Sequence, residues 1–203
     1  MSATSIWSGG RQPFAIGSKK FGMWLFIMSD SLTFATLLVC YTYLRVSRPY
    51  WPAPFAFSPS IVFATVMTLV LLSSSLTMVY AVHAMKEGHA APAMRWLLAT
   101  MAGGAGFVVL HLTEWRHLML AEKVTPWANP WGEPLFGATF FGITGLHMLH
   151  VTIGVIYLGV IAAGLRGGRF SYEDVETSGL YWHFVDLVWM FVFPLIYLMS
   201  VKG

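Results

Sequence analysis

The sequence predicts an all-α membrane protein, a bundle of five transmembrane helices forming one domain over residues 1–203. Hydrophobic residues make up 57% of the chain and charged residues only 10%, against about 25% charged residues in a soluble domain. Five stretches are long and apolar enough for a helix to cross a bilayer, which takes about 20 residues. None shows the alternation of a lipid-facing barrel strand. A membrane-spanning helical bundle follows.

The composition also excludes several classes of protein. A soluble enzyme or a disordered chain needs more charge than this sequence has, and the mean hydropathy is +0.66. Cys40 is the single cysteine, so a disulfide scaffold is excluded. The net charge of +3 is small and scattered, and it does not indicate a nucleic-acid partner.

Three of the five predicted spans contain a carboxylate. The first contains one charge, Asp30, the third contains Glu114 and the last contains Asp186. The fourth is long enough to imply tilt or extension beyond the bilayer. The predicted spans are about 21–44, 61–82, 96–115, 135–165 and 178–201.

The orientation is predicted from lysine and arginine, which are enriched on the cytoplasmic side. Seven lie on the side of the N-terminus: Arg11, Lys19, Lys20, Lys86, Arg95, Arg166 and Arg169. Five lie on the other: Arg45, Arg48, Arg116, Lys123 and Lys202. This bias predicts a cytoplasmic N-terminus and a periplasmic C-terminus in a bacterial inner membrane. The proline- and aromatic-rich segment 49–59 is predicted to lie on the bilayer surface as a rigid hairpin.

Small residues spaced four apart predict where helices approach closely. The third span offers Ala99 with Gly103, and the fourth offers Ala138 with Gly142. Further small residues on these spans are Ala102, Gly106, Gly145 and Gly154. Their partners are helices of this chain or of another subunit.

Ionisable side chains inside the spans form the candidate site, because such groups usually face a bundle interior or a water-filled cavity. Asp30 is predicted to lie roughly 13 Å from the cytoplasmic side at a rise of about 1.5 Å per residue. The pairs His147 with His150 and His183 with Asp186 are each three residues apart, so each pair shares a helix face. These five residues are predicted to meet at similar depth.

A second polar pair, His111 with Glu114, is predicted toward the opposite side of the membrane. For the five-residue cluster, three interpretations remain open. The residues lock the helix register as a structural pair, they bind or relay a proton because histidine titrates near neutral pH, or they hold a metal or haem. No cysteine–histidine framework accompanies them, and no residue is predicted to be catalytic or a metal ligand.

Two stretches then point to a known family. The last span resembles the final helix of subunit III of haem–copper oxidases, with its W-H-F-x-D-x-V-W core. The matching residues are Trp182, His183, Phe184, Asp186, Val188 and Trp189. The fourth span is similar to that family's G-x-H-x-x-H-V-x-x-G stretch. The matching residues are Gly145, His147, His150, Val151 and Gly154.

Two further stretches support this resemblance, and all four occur in order between residues 22 and 200. The first span looks like the family's W-x-F-x-x-S-[ED] helix, matched by Trp24, Phe26, Ser29 and Asp30. EWRHL at residues 114–118 resembles the end of the family's corresponding third helix. Many relatives have seven helices and a glutamate at the position of Asp30, whereas this chain resembles the short five-helix bacterial forms, which include those of quinol oxidases.

The resemblance implies an accessory, non-redox subunit of an oxygen-reducing, proton-pumping terminal oxidase in aerobic respiration. The haems and copper would lie in subunits I and II, and cytochrome c would be an indirect partner. The subunit would support assembly, proton uptake and phospholipid binding. Lys20 and Arg95 lie where phosphate pairing is expected. The alternatives are a quinol oxidase subunit, a subunit attached to a nitric oxide reductase, and an independent proton channel or transporter; cytochrome c is preferred over quinol as the electron donor.

Overall fold

The computed structural model describes residues 17–201, and five long helices account for most of them. They are α1 (Ser18–Ser47), α2 (Val62–Lys86), α3 (Ala90–Leu120), α4 (Pro134–Arg166) and α5 (Tyr172–Val192). A π-helical turn, Phe57–Ile61, precedes α2, and two short turns, Phe193–Tyr197 and Leu198–Ser200, extend α5. All five helical segments are long and apolar enough to cross a membrane. The predicted all-α membrane fold is confirmed.

The helices are longer than the predicted apolar stretches, because neighbouring residues, several of them polar, are also helical. Helix α3 begins at Ala90, six residues before the predicted span, and α5 begins at Tyr172 rather than near 178. A capping box between Ser171 and Asp174 starts α5, because each side chain satisfies a backbone N–H that lacks a helical partner. Helix α4 has 33 residues and is therefore about 50 Å long, more than the hydrocarbon core of about 30 Å.

Helix α5 is the central element of the bundle. It packs against α1, α2 and α4, while α3 packs against α2 and α4. Half of the most apolar part of α5 is buried, whereas only 11% of that of α1 is. Helix α1 is therefore the peripheral helix, and most of its surface faces away from the other four.

Two tryptophans fix the rotation of α5 against α2. The indole N–H of Trp182 donates to Ser74 Oγ over 3.1 Å, and that of Trp189 donates to Thr68 Oγ1 over 2.9 Å. A Cβ added at Gly104 would lie 2.3 Å from the indole of Trp182. Glycine at this position is required because the indole occupies the space that any side chain would need.

The connections distinguish the two ends of the bundle. Residues 87–89 and 167–171 form the short-loop end, and residues 48–56 and 121–133 form the long-loop end. At the short-loop end, Lys19 and Lys20 of α1 pair with Asp174 and Glu176 of α5 over 2.6 and 2.9 Å. At the long-loop end, Arg45 donates to the carbonyl of Met199 and to Ser200 Oγ.

Residues 51–56 of the connection between α1 and α2 pack against the bundle, whereas segment 49–59 was predicted to lie on the bilayer surface; residues 48–50 and 57–59 are exposed. Phe55 is 1% exposed and stacks on Tyr197, with ring centroids 4.9 Å apart. Trp51 packs edge-on against Tyr41 and Phe136. These aromatic side chains thus pack against other aromatic rings of the same chain.

Candidate functional site: an acid–histidine pair between two helices

Asp30 of α1 and His150 of α4 bring two ionisable side chains together inside the bundle. Asp30 Oδ2 lies 3.4 Å from His150 Nε2, and both side chains are 13% exposed. This is an ion-pair distance without the alignment of a hydrogen bond, and Oδ2 accepts none from the described residues. The two side chains therefore face each other without a direct hydrogen bond.

The backbone of α4 fixes which nitrogen of His150 faces Asp30. Nδ1 lies 2.8 Å from the carbonyl oxygen of Leu146. Because a carbonyl only accepts, Nδ1 carries a proton. Nε2 is therefore the nitrogen that faces Asp30.

Neighbouring groups hold this pair in position. The Tyr181 hydroxyl of α5 donates to the backbone carbonyl of His150 over 2.9 Å. Phe34, one turn after Asp30, packs edge-on against the His150 ring at 5.4 Å. The pair is thus supported by three helices, α1, α4 and α5.

His147 lies deeper than His150 and has an aromatic environment. Its ring stacks on Trp189 with centroids 4.9 Å apart, and Phe107 packs edge-on against it. It is fully buried, and neither ring nitrogen has a hydrogen-bond partner among the described residues. Trp189 also contacts His111 of α3 at 5.5 Å, so the indole connects the two histidines.

His183 and Asp186 face α2 rather than Asp30. His183 Nδ1 lies 2.7 Å from Ser75 Oγ, and Asp186 is 5% exposed. Within residues 17–201, no hydrogen bond or ion pair joins them to Asp30, His147 or His150. The structure thus joins Asp30 to His150 and leaves the last two predicted members of the cluster at a different helix interface.

The second predicted pair, His111 and Glu114, shares a face of α3 without a bond between its members. Glu114 Oε2 accepts a hydrogen bond of 2.8 Å from the hydroxyl of Tyr197, and Oε1 has no partner in the described chain. His111 is fully buried against Phe107 and Trp115. Tyr197, on the turn that follows α5, is the partner that sequence reasoning missed.

The hydrogen-bond partners that the sequence did not predict are mainly side chains with a hydroxyl group. Ser74 and Ser75 bind side chains of α5, and both belong to a run of three serines, Ser73–Ser75, in an otherwise apolar span. That run was a usable signal, because a hydroxyl in hydrocarbon needs a partner. Tyr197 gave no comparable signal, since tyrosine is common near membrane interfaces.

The two predicted lipid-binding residues have different surroundings. Lys20 is paired with Glu176, so its charge already has a protein partner. Arg95 is exposed and lines a surface cavity of about 400 Å³ with Pro92, Trp96 and Ala99. Of the two, Arg95 is the one available to an external phosphate.

The fold and these pairs define a class: a multi-pass helical membrane protein with buried acid–histidine and acid–tyrosine pairs. Over the described range 17–201, no three His, Cys, Asp or Glu side chains are grouped to hold a metal ion. The family model described as cytochrome c oxidase subunit III matches residues 1–201. The chain belongs to that family.

Curated relatives have the same subunit names. Subunit 3 of the cytochrome c oxidase of Bacillus subtilis (strain 168) is 33% identical over 92% of this chain and 89% of its own. Subunit 3 of the cytochrome bo(3) ubiquinol oxidase of Pseudomonas putida is 35% identical over 89% of this chain and 85% of its own. Subunit 3 of the cytochrome c oxidase of Alkalihalophilus pseudofirmus is 31% identical over 92% and 90%. The chain is thus an accessory oxidase subunit, as predicted.

Proposed function

We propose that this chain is the non-redox subunit III of a bacterial haem–copper terminal oxidase whose haems and copper lie in subunits I and II. The match to the family over residues 1–201 carries this proposal. Cytochrome c is the proposed electron donor of the complex. The relatives include cytochrome c oxidases and quinol oxidases at similar identity, so the quinol oxidase remains the second candidate.

The peripheral helix α1 supports docking against a partner subunit. Its buried residues, such as Phe34 and Leu38, lie on one face. The opposite face carries small or polar residues at helical spacing, all exposed: Ser29, Thr33, Thr36 and Cys40. The three hydroxyls donate to carbonyls of their own helix. In lipid such residues favour helix–helix contact because backbones can approach closely, so we propose that a helix of subunit I packs here.

Phospholipid is the second proposed partner. An apolar groove of about 540 Å³ runs between α3 and α4 past Met94, Leu98 and Gly159, and Arg166 lies at its end. Together with Arg95, this arginine supplies charge at the short-loop end, where a phosphate head group would form charge-assisted hydrogen bonds. Phospholipid that survives detergent washing in mass spectra of the intact complex is the expected result, and its complete absence after mild extraction would contradict the proposal.

The Asp30–His150 pair supports a role in proton uptake, joined to a structural one. Histidine is the side chain that gains and loses a proton near neutral pH, and here it faces a carboxylate. The pair also joins α1 to α4, so its loss would loosen the peripheral helix. We propose that the structural role dominates, because no electron carrier is expected in this chain to drive a proton through it.

Affinity purification of the tagged chain from native membranes tests the proposed function. The chain is expected to co-purify with haem-containing subunits, seen as haem bands in the reduced-minus-oxidised spectrum. A homo-oligomer free of haem would contradict the proposal and support an independent proton channel or transporter. Mass spectrometry of the co-purified subunits would distinguish a cytochrome c oxidase, a quinol oxidase and a nitric oxide reductase.

A further inference from the structure

Tyr197 and Glu114 form a buried phenol–carboxylate pair at the long-loop end of the bundle. Tyr197 lies on the turn after α5 and is 0% exposed, and Glu114 lies on α3 and is 7% exposed. The phenolic O–H of Tyr197 donates to Glu114 Oε2 over 2.8 Å. The other carboxylate oxygen, Oε1, has no hydrogen-bond partner within residues 17–201. In the described part of the chain, the phenol is therefore the one donor that this carboxylate has.

This hydrogen bond gives the phenol a route for its proton when the ring loses an electron. A phenol that has lost one electron is a strong acid, so its proton moves to a base that it already contacts. A carboxylate at hydrogen-bond distance is such a base. The products are a neutral tyrosyl radical and a protonated glutamic acid, and neither has a charge. Because a buried charge is costly, burial favours this oxidation, and no water has to reach the pair.

Aromatic rings beside Tyr197 let an electron leave by tunnelling, although the pair itself is buried. The indole of Trp189 lies 5.9 Å from the Tyr197 ring, between centroids. Toward the surface, Phe140 lies 5.5 Å from Tyr197, and Phe136 lies 5.9 Å from Phe140. The series ends at Trp51, which is half-buried and lies 5.9 Å from Phe136. Electron tunnelling weakens steeply with distance, so this close spacing connects the buried phenol to a tryptophan near the surface.

We propose that Tyr197 is a one-electron redox site, which gives an electron to a peroxyl radical while Glu114 takes the phenolic proton. The peroxyl radical gains this electron and a proton from water, and becomes a hydroperoxide. A hydroquinone then returns one electron to Tyr197 and releases a proton to water, becoming a semiquinone, while Glu114 returns the phenolic proton. The source of the radicals rests on the proposed function, an oxygen-reducing complex, whereas the site itself does not. The reaction goes beyond the proposed accessory role and uses no metal of this chain.

Electron paramagnetic resonance of the full-length chain in nanodiscs tests this site. The chain is illuminated with ruthenium tris-bipyridine and persulfate, which produce a strong one-electron oxidant, and is frozen after a dark interval. Exposed tyrosyl radicals decay during that interval, whereas a buried one should persist. Deuteration of the tyrosine rings should narrow the signal, which identifies the radical as tyrosyl. Because the signal is measured on this chain, a failure to co-purify with haem would contradict the proposed function and leave this result unaffected.

Three variants locate the radical. Tyr197→Phe removes the phenol, and Glu114→Gln retains an acceptor oxygen but cannot take the proton, so the long-lived signal should be lost in both. Tyr41→Phe is the matched control and should retain the signal. Tyr41 is also buried at the long-loop end, but its hydroxyl contacts the hydroxyl of Ser200 over 3.2 Å instead of a carboxylate. Unfolding temperatures of the purified variants verify that each one folds.

A second measurement needs no variant. High-field spectra of the unmodified chain report whether the radical oxygen accepts a hydrogen bond, and a hydrogen bond is expected because Glu114 holds the transferred proton. A long-lived, hydrogen-bonded tyrosyl radical that Tyr197→Phe removes and Tyr41→Phe retains supports the proposal. Equal signals in Tyr197→Phe and the unmodified chain overturn it, as does the absence of any long-lived tyrosyl signal. A full signal in Glu114→Gln overturns the assignment of Glu114 as proton acceptor.

Discussion

Asp30 and His150 face each other between α1 and α4, with Oδ2 and Nε2 3.4 Å apart. Removing either charge should therefore affect both the helix interface and any proton that passes through it. We expect Asp30→Asn and His150→Gln to lower the yield of assembled complex, because an unpaired partner is left in a mostly buried position. Their effects should not be additive, since both remove the same interaction.

Oxygen consumption against pH, in complexes of verified subunit stoichiometry, measures the proton-uptake part of this role. If the pair supports uptake, both variants should lose activity over repeated turnovers, increasingly at high pH where protons are scarce. Wild-type rates and wild-type decay at every pH would leave the pair with a structural role alone. Ser31→Ala, next to Asp30 in the sequence, exposed and outside the proposed docking face, is the control.

Sequence reasoning predicted part of this geometry at the residue scale. The predicted depths of Asp30 and His150 in the membrane are similar, and the two side chains do lie next to each other in the structure. Depth does not determine rotation about the helix axis or the order of neighbours. His183 and Asp186 therefore face α2 instead, because Trp182 and Trp189 bind Ser74 and Thr68 and set the rotation of α5.

Gly103 of α3 and Gly142 of α4 each lie four residues after an alanine, but the two glycines have different surroundings. A Cβ at Gly103 would lie 2.6 Å from Cβ of Ser74 in α2, whereas a Cβ at Gly142 would meet nothing within 4 Å. The small-residue face of α3 is used within the chain. That of α4 at Ala138 and Gly142 is exposed and remains available to a partner. The sequence pattern could not distinguish these cases, because both have the same spacing.

The matched variants Gly103→Leu and Gly142→Leu test this difference. Gly103→Leu should destabilise the chain itself, by about 1–3 kcal/mol for an overpacked helix contact, seen as a lower unfolding temperature of the purified chain. Gly142→Leu should leave that temperature unchanged and lower the ratio of this chain to haem in the purified complex. Unchanged ratios of chain to haem in both variants would tell against the packing role of these faces.

Polar contacts hold both ends of helix α1, in addition to the Asp30–His150 contact near its middle. Its lysines pair with α5 at the short-loop end, and Arg45 binds the last turn of α5 at the long-loop end. Exposed ion pairs contribute little individually, about 0–1 kcal/mol. The small buried fraction of α1 is consistent with a helix that gains its remaining packing from another subunit.

On the scale of the whole molecule, hydropathy was sufficient to predict the five helices, since lipid requires every backbone group to be satisfied within a helix or closed barrel. It could not predict that residues 51–56 pack against the bundle, because Phe55 and Trp51 suit an interface and an aromatic core equally well. The orientation rests on lysine and arginine counts that include Arg11 and Lys202, which lie outside the described residues.

Cysteine labelling measures that orientation. In a Cys40→Ala background, Asn129→Cys on the long-loop end should react with a membrane-impermeant maleimide added to intact cells. Gly168→Cys on the short-loop end should react only after the membrane is opened, because the excess of lysine and arginine favours a cytoplasmic position. The reverse pattern of labelling would contradict the predicted cytoplasmic N-terminus.

The central claim is that this chain belongs to a terminal oxidase without carrying its redox metals. The most direct measurement is the haem and copper content per catalytic subunit in the complex purified with and without this chain. We expect equal haem and copper contents in the two preparations, and activity that decays faster over turnover when the chain is missing. Loss of one whole haem or copper from a complex that retains its other subunits would contradict the non-redox role of this chain.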